Sequence, residues 1–156
     1  MGKSVAIGSL VLALAGCDAV KEMFKPGTIT GKVESKGELG DWTLDKGLCF
    51  SGEKENYYGA VARGPDNTGI GIKMVKDPTK GWSVLVNNAT SCVKPASPSD
   101  CKAIIFTAEG CKKLEADVET TNMTVNGVKV VHGKLAIDCE AGTSSVKGEL
   151  KLTHCH

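Results

Sequence analysis

The sequence predicts a mainly β fold, an antiparallel β-sandwich or barrel-like domain cross-linked by disulfides. The chain has 156 residues, which is enough for one hydrophobic core and hence for one domain. Glycine is abundant, at 19 residues, and only 4% of the residues are aromatic; this composition favours short strands joined by tight turns. Strand-like runs recur about every ten residues between Gly, Pro, Asn and Asp, as in sandwiches and barrels. No long helix and no internal repeat is predicted.

The predicted strands show alternation of apolar and polar residues. Ile70, Ile72 and Met74 alternate with Gly71 and Lys73, a period of two residues that places one face of the strand in the core. One buried face and one wet face indicate an antiparallel sheet. The predicted strands are residues 28–33, 42–44, 48–51, 57–62, 69–75, 82–86, 103–107, 114–120, 123–131, 134–139 and 146–153.

A β-hairpin turn is predicted at Asn126-Gly127. The dipeptide lies between Thr124-Val125 and Val128-Lys129, so that a valine flanks it on each side. Asn and Gly both tolerate the positive φ that a type I′ turn requires, so this is the strongest short-range hairpin signal in the chain.

The first sixteen residues have the pattern of an export signal. Lys3 is followed by an uncharged, mainly apolar run, residues 4–16, and a cationic start before such a run is typical of a signal peptide. As a helix the run would extend about 20 Å, well short of the roughly 30 Å of a bilayer core, which argues against a permanent membrane span.

The run ends in Leu14-Ala15-Gly16-Cys17, which resembles the lipobox of bacterial lipoproteins at all four positions. That resemblance implies removal of residues 1–16, a diacylglycerol on the Cys17 sulfur and, in most such bacteria, acylation of the new amino group. Several acyl chains on one residue would anchor the protein durably. Residues 17–27 then form the lipidated N-terminus and tether, and residues 28–156 form the β domain. The expected location is the extracytoplasmic side of the cell membrane or of the outer membrane.

The chain has seven cysteines, and such a number in a small exported protein indicates disulfides. With Cys17 carrying lipid, an even set of six remains for three bridges. The Pro- and Ser-rich segment 93–100 is a loop that brings its flanking cysteines together, so we predict a bridge between Cys92 and Cys101. A strand separates Cys101 from Cys111 by about 17 Å, which disfavours that pair.

A bridge between Cys139 and Cys155 is also disfavoured, because the hairpin around Gly142 places Cys139 opposite Val146. The alternatives that remain open are the long-range pairings among Cys49, Cys111, Cys139 and Cys155.

The charge of the chain does not favour nucleic acid as a partner. The formal charge is +1, and removal of residues 1–16 with Lys3 leaves 18 basic against 18 acidic residues. A neutral chain with scattered lysines has no long-range field for phosphate.

The histidines give the main alternative chemistry. His154 and His156 would project from one face of a strand, and His132 is the third histidine; together they suggest a metal-binding or metal-dependent enzyme. Against this hypothesis, Cys155 between them is needed for an even number of disulfide cysteines, and terminal residues are usually frayed. The prediction is therefore no metal site and no cofactor.

The predicted function is that of a non-enzymatic envelope lipoprotein, bound to the membrane through Cys17 and acting as a binding or structural module. The sequence has no G-x-S-x-G elbow and no other arrangement typical of a hydrolase. Besides the metal-dependent alternative, a carrier of a small ligand is considered, which requires an apolar cavity. The partner, whether an envelope protein or a ligand, is not identified by the sequence.

Overall fold

The computed structural model describes residues 25–156. The predicted signal peptide 1–16, the predicted lipidation site Cys17 and the tether as far as residue 24 lie outside the described residues. Within the described range the protein is mainly β, and ten strands form one antiparallel sheet. The predicted fold class, an antiparallel sandwich or barrel-like domain with disulfides, is confirmed.

The strands are β1 (Thr28–Lys36), β2 (Trp42–Leu44), β3 (Leu48–Ser51), β4 (Gly59–Arg63), β5 (Gly71–Asp77), β6 (Gly81–Asn87), β7 (Ala103–Thr107), β8 (Cys111–Val125), β9 (Val128–Ala141) and β10 (Ser144–Cys155). A single α-helical turn, α1 (Ala89–Cys92), follows β6. Short 3₁₀ turns lie at Gly37–Leu39, Gly52–Glu55, Pro98–Asp100 and Ala108–Gly110.

The sheet has two parts that meet at β1. Its strand order is β7-β6-β5-β4-β3-β1-β10-β9-β8, with β2 also paired to β1. Strand β1 pairs along its length with β10, from Thr28 opposite Thr153 to Lys36 opposite Ser145, whereas only Thr28 pairs with Leu48 of β3. We call β3 to β7 the first half-sheet, and β1, β2, β8, β9 and β10 the second half-sheet.

The core lies between the inner faces of the two half-sheets, since buried residues from both form one cluster. The alternation predicted for residues 70–74 is confirmed for Ile72 and Met74, which are buried, while Ile70 precedes β5 and is only half-buried. The buried core includes Ile72, Met74, Val84, Val86 and Phe106 of the first half-sheet and Val33, Val118, Leu135, Ile137, Leu150 and Leu152 of the second.

The predicted hairpin at Asn126-Gly127 is confirmed. Asn126 has φ 50° and Gly127 has φ 79°, as a type I′ turn requires, and Val125 pairs with Val128 across the turn.

The predicted ends of the strands on either side of this turn are wrong. The expected break at residues 121–122 is instead a bulge within β8, where the register shifts between Thr120 and Thr124. The Thr121 hydroxyl donates to the Val130 carbonyl at 2.9 Å and accepts from Met123 N at 3.1 Å. These hydrogen bonds explain why the sheet continues through a segment whose side-chain pattern is interrupted.

Two glycines let β1 and β10 approach closely. Gly31 has φ 98° and Gly148 has φ 140°, conformations that glycine tolerates and other residues rarely adopt. A Cβ on Gly148 would lie 2.1 Å from the Lys32 carbonyl oxygen, and one on Gly31 would lie 2.3 Å from the Glu149 carbonyl oxygen. The close pairing of β1 with β10 inside the second half-sheet therefore depends on the absence of side chains at these two positions.

Candidate functional site

The six cysteines of the described range form three disulfides. The structure joins Cys92 to Cys101, the pair expected from the intervening loop. The four long-range cysteines pair as Cys49 with Cys155 and Cys111 with Cys139, a choice that sequence reasoning had left open. Cys139 does lie opposite Val146, as predicted, and it also lies opposite Cys111 on its other side.

The bridge between Cys49 and Cys155 marks the place where the tether enters the domain. Gly27 is buried there: a Cβ on it would lie 2.9 Å from Cys49 Sγ and 2.9 Å from Cys155 Cα. Cys49 N donates a hydrogen bond to the Gly27 carbonyl at 3.1 Å. The preceding Pro26 is exposed. The chain that leads back to Cys17 therefore leaves the domain from one defined point.

A thiol titration tests this cysteine arrangement. Because Cys49, Cys92, Cys101, Cys111, Cys139 and Cys155 are all paired, we expect none of these six to be a free thiol when the protein is denatured without reductant. The measurement is an Ellman titration in guanidinium chloride, with the reduced protein as the positive control. Two or more thiols per molecule would show that at least one bridge does not form.

The structure brings two of the three histidines together. The rings of His132 and His154 lie edge to face with their centroids 5.5 Å apart, and His154 N donates to His132 Nδ1 at 3.3 Å. His156 Nδ1 lies 2.8 Å from the His154 carbonyl oxygen. The imidazole of His156 is thus engaged with the backbone.

The expectation that His154 and His156 share a strand face is wrong. His154 has φ 60°, and the pairing of β10 with β9 shifts between Leu152 and Cys155, so the two-residue alternation ends before the histidines. Among residues 25–156 no group of three or more His, Cys, Asp or Glu side chains is arranged to hold a metal ion.

The outer face of the first half-sheet carries a row of apolar side chains. The strand register places Phe50 opposite Val61, Val61 opposite Lys73, Lys73 opposite Leu85, and Leu85 opposite Ile105. Ile105 is 62% exposed, whereas Phe50 and Leu85 are half-buried. We call these five residues the apolar row. It crosses five strands and is interrupted only by one lysine.

Leu48 extends the exposed apolar surface toward the point where the tether enters. It is 42% exposed, it precedes Cys49, and it lies opposite Thr28 on one side and Arg63 on the other. Sequence reasoning predicted the strands but did not single out this face. The signal that could have found it is the second apolar set in strands such as Leu48–Ser51 and Ala103–Thr107.

Two cations lie among the apolar side chains of this face. Lys73 Nζ is 2.7 Å from Glu55 Oε2, and Arg63 is 3.8 Å from Glu55 Oε1. Lys73 Nζ also lies 4.0 Å from the centre of the Tyr57 ring, and the Arg63 guanidinium lies 5.2 Å from the Phe50 ring centre. One carboxylate therefore faces two cations, and both cations are in cation–π geometry.

Tyr57 is held against the backbone next to this group. A Cβ on Gly52 would lie 2.4 Å from the Tyr57 ring, so glycine at that position makes room for it. Burial, with a smaller contribution from the Glu55 charge, raises the pKa of the Tyr57 hydroxyl to about 12. The phenol therefore stays neutral at physiological pH, and the Tyr57 ring packs against Gly52.

The outer face of the second half-sheet is different in character. Charges of both signs pair across its strands: Lys113 with Glu149 at 3.2 Å, Lys147 with Asp138 at 3.0 Å and Lys112 with Glu140 at 3.0 Å. Apart from Asp138, these side chains are well exposed, so each pair contributes little to stability. A groove of about 490 Å³ crosses this face, with the small Ala136 among its lining residues. The outer face of the second half-sheet therefore presents charges of both signs to solvent.

The comparisons with known proteins give no further assignment: no family model, no curated protein and no solved structure matches this chain. In the described part of the chain, no helix has both the length and the apolar character needed to cross a bilayer.

Proposed function

We propose that this protein is a lipid-anchored lipoprotein of the bacterial cell envelope, in which the β domain is a non-enzymatic binding or structural module held at a membrane surface. The anchor is Cys17, lipidated after removal of residues 1–16. The domain lies on the extracytoplasmic side of the cell membrane or of the outer membrane.

The observation that carries the proposal is the use of the cysteines. Of the seven cysteines in the chain, the six in the described range bond to one another. Three disulfides in a small domain are expected of an oxidising, extracytoplasmic compartment. They leave no cysteine of the domain as a partner for Cys17, and Cys17 is the residue that ends the lipobox-like Leu14-Ala15-Gly16-Cys17. The disulfides and the lipobox-like motif therefore both support an extracytoplasmic protein anchored through Cys17.

The substitution Cys17→Ser tests the anchor. We expect it to abolish labelling by radioactive fatty acid and to leave an uncleaved precursor, because the lipid is attached to the Cys17 sulfur before the signal is removed. The measurement is incorporation of labelled palmitate in the bacterial source or a bacterial host, with the precursor and mature forms resolved by mass.

The matched control removes cysteines without touching the anchor. The double variant Cys92→Ala/Cys101→Ala loses one bridge and should keep both the label and the cleavage. Persistent fatty-acid labelling of Cys17→Ser, or an unlabelled wild-type protein, would contradict the proposal.

A separate experiment addresses the molecule that the module contacts. Partners are recovered together with the intact lipidated protein from its own membranes.

A further inference from the structure

The tether keeps one particular edge of the domain near the lipid. Residues 17–27 span at most about 35 Å when fully extended. The chain enters the domain at Gly27, which is buried against the Cys49–Cys155 bridge, and continues into Thr28, opposite Leu48. Leu48 is therefore the exposed apolar residue beside the attachment point, and it lies at the margin of the first half-sheet.

The rest of the apolar face also lies within reach of the lipid surface. Phe50 and Ile105 are at the two ends of the apolar row, separated by four strand spacings of about 4.8 Å, or about 19 Å. This distance is shorter than the extended tether. Single exposed apolar residues are ordinary, but Leu48 and Ile105 share one face with the half-buried Phe50 and Leu85. Apolar side chains that share one exposed face, although Lys73 interrupts them and Val61 is buried, are the kind of surface that marks an interaction site.

The outer faces of the two half-sheets differ in the free energy needed to dehydrate them against lipid. The second half-sheet would have to dehydrate several exposed charges of both signs, such as Lys147 and Asp138. The first half-sheet exposes Leu48 and Ile105 on its outer face. Its ion-paired group of Arg63, Lys73 and Glu55 carries a net charge of +1. Long cationic side chains can lay their alkyl portions along apolar surface while their charge stays at the headgroups.

We propose that the outer face of the first half-sheet rests on the lipid surface that holds the Cys17 anchor, with Leu48 and Ile105 at the boundary between headgroups and acyl chains. Arg63 and Lys73 then lie at the level of the lipid phosphates. The domain is thereby oriented, and its charged second half-sheet faces the aqueous side. This inference rests on the proposed function, because it requires Cys17 to carry lipid.

Depth-dependent quenching of a new tryptophan tests the orientation. Ile105→Trp places the probe on the apolar face, and Lys134→Trp places a matched probe at an exposed position on β9 in the second half-sheet. The mature, lipidated full-length protein is reconstituted in phosphatidylethanolamine and phosphatidylglycerol vesicles, with or without bromine in the acyl chains. Unsubstituted protein gives the background from Trp42 and Trp82. We expect brominated lipid to reduce the added emission of Ile105→Trp and to leave that of Lys134→Trp unchanged.

A second probe, Leu48→Trp, makes the result independent of whether one variant folds, and it should be quenched as Ile105→Trp is. Equal quenching of the two half-sheets, or no quenching of either while the protein floats with the vesicles, would overturn the inference and leave the proposed function standing. Failure of the protein to float with vesicles would overturn the proposed function itself. The protein could instead form a concentration-dependent dimer in which Ile105→Trp is shielded from a water-soluble quencher but is not quenched by brominated lipid. That result would assign the face to a second copy of the chain and overturn the inference.

Discussion

Replacing Cys49 and Cys155 together by alanine should lower the free energy of unfolding by about 4.7 kcal/mol. The two cysteines are 106 residues apart in sequence, and closing a loop of about 100 residues restricts the unfolded chain by roughly that amount in the chain-entropy description. Both cysteines are buried in the core cluster, so loss of the two sulfurs adds a packing defect. This loss is a large fraction of the roughly 5–15 kcal/mol that keeps a typical domain folded.

The matched control is the double variant Cys92→Ala/Cys101→Ala. That bridge spans only 9 residues, so its loss should cost about 2.7 kcal/mol, roughly 2 kcal/mol less than loss of the long-range bridge. Urea denaturation of the purified proteins, followed by circular dichroism, measures both values. A larger loss for the Cys92–Cys101 variant than for the Cys49–Cys155 variant would show that the terminal bridge does not hold the two half-sheets together.

The substitution Gly148→Ala should destabilise the domain by about 3 kcal/mol, because it combines backbone strain with a steric clash. Gly148 has φ 140°, and an added Cβ would lie 2.1 Å from the Lys32 carbonyl oxygen and 2.8 Å from Val33 Cα. Both contacts are with backbone, which cannot rotate away as a side chain can. The expected result is a large fall in the urea midpoint, since β1 and β10 must separate to admit a methyl group.

Gly110→Ala is the corresponding control. Gly110 has no positive φ, and no heavy atom lies within 4 Å of the position where its Cβ would be. Its unfolding free energy should therefore stay within about 0.5 kcal/mol of the original. If Gly148→Ala were as stable as Gly110→Ala, the close approach of β1 and β10 would not exist in solution.

Local features of this fold could be predicted from the sequence, and long-range ones could not. The turn at Asn126-Gly127 and the bridge between Cys92 and Cys101 each depend on a few neighbouring residues, and the structure contains both. The pairing of Cys49 with Cys155 depends on how β3 and β10 meet across β1, which no local pattern specifies. For the same reason the sequence does not show that Lys73 and Leu85 lie in one row across the sheet.

The two-residue period of the strands does not by itself reveal the apolar outer face of the first half-sheet. Alternation identifies the inward set, such as Ile72 and Met74, but it treats the outward set as solvated by default. Ile105 and Leu48 belong to that outward set, and only the register of neighbouring strands shows that they share a face. The expectation that His154 and His156 share a strand face assumed that regular strand geometry continues to residue 156, whereas His154 adopts a left-handed conformation.

The pairing of β1 with β10 has a consequence for the order of folding. Residue 28 meets residue 153, so the earliest strand has its main partner almost at the carboxyl terminus, and contacts so distant in sequence form slowly. A chain that emerges from an export channel with its amino end first cannot complete this sheet until its last dozen residues have also emerged. During that interval the unpaired strands are exposed to aggregation, so the export proposed above would have to deliver the whole chain quickly to an oxidising compartment.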